Sequence, residues 1–197
     1  GSKPQLGVLL SGPPGVGKST LARAVAAHVG AGVIDISAPS VAAIEAGAAA
    51  EALRAAADQA ATNAPSVLLI QDVEALAPRE DADPISRLFI DLLQRTIAAG
   101  QVAVGCTTAR PEEVTPELSH PGLLDHQLVL PLPDRAMRMA ILEALLRPVP
   151  LAEDVSLDEI AGKTPGVVAA DLVALRREAT VRAALRQKTA EKPTVAQ

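Results

Sequence analysis

Aromatic side chains are almost absent from this chain, which has no tryptophan, no tyrosine and one phenylalanine, Phe89. Any core must therefore be built from Leu, Ile, Val and Ala contacts. Cysteine is as scarce: the single Cys106 cannot close an internal disulfide, which fits a reducing compartment and predicts a cytoplasmic location. It falls within an apolar strand pattern and reads as a small core residue. Positive charge is not in excess. A net charge of −5 gives no general attraction to nucleic acid or to an anionic membrane, so neither is expected as a partner. No apolar run approaches the roughly 18 residues that span a bilayer, and no signal peptide is visible. Gly1-Ser2 reads as a cloning scar, so the natural chain is expected to continue upstream. His28 and His120 lack ligand spacing, and no zinc site is expected.

The chain has 197 residues, nearly half of them apolar, enough for one large domain or two small ones. Short apolar runs at Leu6–Leu10, Val33–Ile36, Val67–Ile70, Gln101–Cys106 and Gln127–Leu130 read as buried strands. Between them lie helical patterns. Lys18–Val29 carries an apolar face at Leu21, Ala22, Val25, Ala26 and Val29, closed by Gly30 and Gly32. Residues 42–61 contain 12 alanines and read as a helix on propensity, ended by Pro65. Pro84–Ala99 repeats apolar residues at Ile85, Leu88, Phe89, Leu92 and Leu93. Strands alternating with helices predict a parallel α/β sheet. After Pro131–Asp134 the pattern becomes helical only. Asp134 is a plausible N-cap before a stripe at Met137, Ala140, Ile141, Ala144 and Leu145. Leu157–Ala161 and Val168–Arg186 follow as further helices. The expected organisation is a large α/β unit over 1–132, a small all-helical unit over 133–188 and a polar, frayed tail over 189–197. No internal repeat is present.

One motif carries chemistry by itself. Gly12-Pro13-Pro14-Gly15-Val16-Gly17-Lys18-Ser19 fits the phosphate-loop pattern and lies between a strand and a helix, as the mechanism requires. Its glycines let the backbone wrap phosphates with N–H groups pointing inward. The start of the next helix adds a potential that favours anions. Lys18 would reach the β- and γ-phosphates, and Ser19 would ligate Mg²⁺. Residues Pro14, Gly15, Val16, Gly17, Lys18, Ser19 and Thr20 are the expected nucleotide contacts, with ATP or ADP and Mg²⁺ as cofactors. No N-K-x-D run for guanine exists, and no arginine cluster before residue 176 supplies the mobile lid of a small kinase.

The order of motifs adds a resemblance. GPPGVGKSTLARAVA, then NAPSVLLIQDVEALAPRE, then TTARP, then AADLVALRREA resemble an AAA ATPase domain, most closely the first ring domain of valosin-containing-protein-type unfoldases. The likeness covers roughly Lys3 to Gln187. It implies the P-loop NTPase fold, with a five-stranded parallel sheet flanked by helices and followed by a small all-helical lid. It also implies ATP phosphohydrolase activity, hexameric ring neighbours and a protein substrate to remodel or thread. Ala169 and Ala170 fall at the lid position that faces the nucleotide in the family.

The pattern departs from the family at four places. The family's third strand ends in Asp-Glu, the Asp supporting magnesium and the Glu polarising water. Here Gln71 and Asp72 stand there, so Asp72 becomes the candidate catalytic acid and metal ligand beside Lys18 and Ser19. A carboxylate shortened by a C–C bond of about 1.5 Å reaches less far, and a misplacement of about 1 Å can cost about 100-fold. A shifted register would instead give Asp72 to magnesium and Glu74 to water, but the simpler expectation for Glu74 is a solvated acid. The polar sensor of the fourth strand is replaced by Ala109, leaving Thr107 or Thr108 either to contact phosphate or to finish the strand. Leu123 and His126 replace two arginine fingers, and Glu45 replaces the pore-loop grip residue beside Ile44. The expectation is an ATPase of low intrinsic activity; the alternative is a hydrolysis-deficient assembly module beside a second, active AAA domain. Ring neighbours in a hexamer are expected in the full protein, and a monomer is the alternative for the excised domain. Arg176 and Arg177 form either a basic patch or a solvated helix face.

Overall fold

The computed structural model describes residues 6–80 and 83–190, and the side chains up to residue 186. The chain divides into two compact units, Gly1–Pro131 and Leu132–Gln197. The expected cloning scar at Gly1-Ser2 lies outside the described residues, as does most of the expected tail.

In the first unit five strands form one parallel sheet: β1 (Gly7–Ser11), β2 (Gly32–Ser37), β3 (Ser66–Gln71), β4 (Val102–Thr108) and β5 (His126–Val129). Their order is β2-β3-β4-β1-β5. Every pairing is parallel, with Gly7 beside Val104, Ser66 beside Val102, Ser37 beside Gln71 and Val8 beside His126. The helices are α1 (Lys18–His28), α2 (Ala38–Ala42), α3 (Ala46–Thr62) and α4 (Pro84–Ala99). Strand side chains alternate between faces. One face presents Ile34, Ile36, Leu68, Ile70, Val102, Val104 and Cys106 to Leu53 of α3 and to Phe89 and Leu93 of α4, and this is the main core. The other set includes Asp35, Leu69 and Gln71, and the helix that bears on it is α1, which contacts β2, β3 and β4.

The sequence expectation of one helix over 42–61 needs correction. Two helices occur, separated at Ala43–Glu45. Glu45 holds extended backbone and its side chain accepts from the Ala48 N–H at 3.3 Å, which starts α3 afresh. Alanine propensity cannot reveal that break, because alanine favours helix on both sides of it. The apolar face expected on α1 is buried only at its alanines: Ala26 is buried and Ala22 half-buried, whereas Leu21, Val25 and Val29 are exposed.

The second unit contains α5 (Arg135–Leu146), α6 (Leu157–Lys163) and α7 (Ala169–Ala190). Asp134 caps α5, accepting from the Met137 N–H at 2.8 Å. Its small core joins Leu142, Ala161 and Leu172. The expected stripe on α5 holds in part: Ile141 and Leu145 pack against that core, whereas Met137, Ala140 and Ala144 are exposed. Besides Leu142, the buried residue of α5 is Arg138, whose guanidinium donates to Pro133 O at 2.7 Å and to Ala161 O at 2.8 Å. A buried arginine satisfied by carbonyls is invisible to a reading based on apolar spacing. The helix α7 runs through Ala190, so the expected tail begins as helix. Among the described residues, no helix is long and apolar enough to cross a membrane.

Two consequences are measurable. Gly7 approaches the Leu123 carbonyl so closely that an added Cβ would lie 1.8 Å from its oxygen, whereas Gly32 faces open space. Gly7→Ala is expected to lower unfolding free energy by about 3 kcal/mol, the upper end of overpacking costs. Gly32→Ala should leave it level or raise it by up to about 1 kcal/mol. Urea denaturation of the two variants compares them directly. Cys106 is fully buried, and burial holds its thiol well above its ordinary pKa. Native protein should therefore resist a thiol reagent that labels it stoichiometrically in denaturant.

Candidate functional site

The loop Gly12–Gly17 joins the C-terminal end of β1 to the first residue of α1, Lys18. Gly12, Gly15 and Gly17 all hold positive φ, at 145°, 76° and 108°. At Gly12 no side chain fits in any case, because a Cβ would lie 2.2 Å from the Leu130 carbonyl oxygen. Leu130 is fixed there by its N–H, which donates to Ser11 O at 2.8 Å. The loop turns sharply for these reasons and delivers Lys18, Ser19 and Thr20 at the start of a helix, where backbone N–H groups have no helical acceptor.

Lys18 is buried and its ammonium donates to the loop's own carbonyls, Gly12 O at 2.7 Å and Pro13 O at 3.0 Å. Burial lowers its pKa below the ordinary value, and the negative charges of Asp72 and Glu74 partly offset that effect. Ser19 Oγ donates to Gln71 Oε1 at 2.8 Å. Gln71 in turn donates through Nε2 to Asp35 Oδ1 at 2.6 Å. The other carboxylate oxygen of Asp35 accepts from Arg23 of α1, with Nε at 3.1 Å and Nη2 also bonded. A continuous chain, Ser19–Gln71–Asp35–Arg23, thus crosses from the loop to the edge strand and back to the loop's own helix.

Beyond Gln71 the strand stops. Asp72 is exposed and sits in the left-handed region with φ 54°, and Val73–Ala75 form a 3₁₀ turn. The Asp72 N–H donates to Thr107 Oγ1 at 3.3 Å, and Thr108 Oγ1 accepts from the Arg110 N–H at 3.0 Å. The Thr107 hydroxyl therefore holds the backbone just beyond β3, and the Thr108 hydroxyl the backbone just beyond β4. Because the strand ends, strand alternation does not extend to Asp72 and Glu74. The expectation of a solvated Glu74 is overturned: its side chain is 6 % exposed, Arg110 Nε lies 3.6 Å from Oε1, and Oε2 is buried without a hydrogen-bond partner. The 3₁₀ turn folds it inward, which spacing alone could not reveal.

The remaining departures have local explanations. Leu123 is buried in the main core, and His126 is exposed at the start of β5. Glu45 is the cap of α3, and Ile44 beside it is exposed. Ala169 and Ala170 are the first two residues of α7, in the second unit. Among the candidate residues the first unit brings together Lys18, Ser19, Gln71 and, through charge, Asp72 and Glu74. Arg23 and Asp35 were missed. Their signal was a lone carboxylate inside Val33–Ile36 and an arginine one turn beyond Lys18-Ser19.

A glycine loop between a parallel strand and a helix, holding a buried lysine and a serine at the helix start, defines the P-loop NTPase fold. Comparison with known proteins narrows this. Residues 8–132 match the family described as "ATPase family associated with various cellular activities (AAA)", and residues 154–193 match the "AAA+ lid domain". The chain belongs to the AAA ATPase family. It is 39 % identical over 93 % of its length to the cell division cycle protein 48 homolog of Archaeoglobus fulgidus, of which it covers 26 %. It is 37 % identical over 93 % of its length to Protein SAV of Sulfolobus acidocaldarius, covering 24 %, and 36 % identical over 92 % to the nuclear valosin-containing protein-like protein of Mus musculus, covering 22 %. The chain thus spans about a quarter of the length of these relatives.

The donor set fits the group that the family implies. Mg²⁺ prefers oxygen ligands and binds nucleotide with few protein groups. Ser19 Oγ is one such oxygen, with its hydrogen already accepted by Gln71 and a lone pair left for a cation. Asp72 offers an exposed carboxylate. The left-handed backbone of Asp72 costs about 1–2 kcal/mol for a branched side chain and nothing for glycine. Asp72→Gly is therefore expected to hold or raise stability, and Asp72→Val to lower it by about 1–2 kcal/mol. Chemical denaturation of both variants measures the difference.

Proposed function

We propose that this domain binds Mg²⁺–ATP through Pro14–Thr20 and hydrolyses it slowly, as one module of a larger protein-remodelling ATPase. The observation that carries the reading is the contact of Ser19 with a neutral Gln71 where the family has an Asp, next to an exposed, left-handed Asp72. Lys18 neutralises phosphate charge, and the loop N–H groups hold the phosphates in place. The cation, when bound, neutralises charge on the β- and γ-oxygens. Asp72 is the candidate acid for both metal and water; a buried, half-paired Glu74 near Lys18 is the alternative acid. The assignment of Ala169 and Ala170 to nucleotide contact rests on the family resemblance.

A second reading, a nucleotide-holding assembly module beside an active AAA domain, is favoured by Leu123. This residue stands at a finger position but serves the core, so a neighbour in a ring of identical domains would receive no arginine there. Arginine fingers are worth roughly 10³–10⁵ in rate. Relatives about four times as long leave room for a second domain. A hexameric ring in the complete protein and a cytoplasmic location, consistent with a lone buried thiol, complete the proposal.

Steady-state ATP turnover with Mg²⁺ tests it. Wild-type turnover is expected below about 1 s⁻¹, a typical lower kcat, and Lys18→Ala should lose nucleotide binding. The double variant Gln71→Asp/Asp72→Glu should turn over faster than wild type. Fast wild-type turnover that Lys18→Ala abolishes would refute slow hydrolysis. No gain from the double variant would point to the missing fingers as the limiting factor.

A further inference from the structure

The amide of Gln71 raises a problem that a carboxylate would not. A carboxylate accepts a hydrogen bond from Ser19 with either oxygen, so its rotation about the last bond is immaterial. An amide has one accepting end and one donating end. With Oε1 toward Ser19, the serine gives up its hydrogen and keeps its lone pairs for a cation. With Nε2 toward Ser19, the amide donates into one of those lone pairs and competes with the cation. Something must therefore fix which end of Gln71 faces the loop.

Asp35 meets that requirement. It sits on the edge strand β2, on the same face as Gln71, and its Oδ1 lies 2.6 Å from Gln71 Nε2. An ionised carboxylate can only accept. Gln71 is therefore forced to present Nε2 to Asp35 and Oε1 to Ser19, the arrangement observed at 2.8 Å. Arg23, one turn along α1 from Ser19, holds the far oxygen of Asp35. That ion pair is partly exposed, with side chains 47 % and 33 % accessible. Such pairs add little to stability, so its value lies in geometry. Asp35 is an exposed position between the buried Ile34 and Ile36 of β2, so core packing does not dictate its identity.

We propose that Asp35, steadied by Arg23, is a positioning residue that orients Gln71 and thereby readies Ser19 as a magnesium ligand. The pair of residues replaces one carboxylate: Gln71 supplies the acceptor, and Asp35 supplies the charge one strand further out. A hydrogen-bonded relay of this kind polarises its members in series. The inference rests on the reading that the loop binds Mg²⁺–ATP, and it makes no demand on the rate of hydrolysis.

The test uses the intact chain and a fluorescent ATP analogue, titrated once with Mg²⁺ and once with EDTA. The quantity read is the ratio of the two dissociation constants. Asp35→Ala should lower the gain from Mg²⁺ about tenfold, the usual scale for losing a partner that orients a metal ligand. Gln71→Glu should lower it as well, because two carboxylates then face each other across the contact now made by Nε2. The exchange Asp35→Asn/Gln71→Glu puts the donor on β2 and the charge on β3, and it should restore the gain; a merely structural pair would not predict that recovery. A readout without nucleotide accompanies it: the side-chain amide protons of Gln71 should be protected from exchange in the wild type and lose protection in Asp35→Ala. If nucleotide binds but the Mg²⁺ gain is the same in Asp35→Ala, or if the double exchange restores nothing, the relay is wrong and the binding reading stands. If the wild type binds no nucleotide in either buffer, both are wrong.

Discussion

The hydrogen bond from Ser19 Oγ to Gln71 Oε1 joins the two parts of the first unit on which the site depends. On one side of it stands the loop, whose course is dictated by the close approach of Gly12 to the Leu130 carbonyl. On the other stands the end of β3, held in register between β2 and β4. In the order β2-β3-β4-β1-β5, β4 separates β1 from β3, so the loop must reach across the C-terminal end of one strand to touch another. The helix α1 makes that reach possible, since it begins at Lys18 and lies against β2, β3 and β4. The same helix then returns through Arg23 to Asp35, closing the circuit on the sheet edge.

Several residues at or beside the positions that depart from the family pattern have a local structural task in this chain. Glu45 caps α3, Leu123 fills the core, Thr107 and Thr108 hold the backbone just beyond β3 and β4, and Gln71 links Ser19 to Asp35. The loop depends instead on backbone shape and on one lysine, and these are intact. A backbone cradle tolerates change in its surroundings, whereas positioning a reacting water requires particular side chains to within about 1 Å. The proposed separation of binding from hydrolysis follows from that asymmetry.

The parallel α/β arrangement was legible because apolar runs of strand length alternate with helical spacing, and because Gly12–Ser19 fixes where β1 ends and α1 begins. The helix α4 was legible for the same reason, with Phe89 and Leu93 buried as its period requires. Features that escaped depend on polar groups doing what apolar groups usually do. Arg138 occupies a buried position on α5 because carbonyls satisfy it, and Glu74 turns inward because Asp72 adopts a left-handed backbone. The exposed Leu21, Val25 and Val29 mislead in the opposite sense, as an apolar stripe that the described residues leave open. At the site, Lys18 and Ser19 could be named from spacing, but the part of Asp35 and Arg23 could not, since the contact of Asp35 with Gln71 exists only once β2 pairs with β3, and that of Arg23 with Asp35 only once α1 lies against the sheet.

The central claim is that the loop holds ATP while the groups around Gln71 and Asp72 act on it poorly. A single-turnover experiment addresses this directly, with the domain in excess over radiolabelled ATP, Mg²⁺ present, and samples quenched from milliseconds to minutes. The account predicts that ATP is bound within the first samples and remains largely uncleaved for longer than about 1 s, the time set by a typical lower kcat. Cleavage of the bound nucleotide within milliseconds would contradict it.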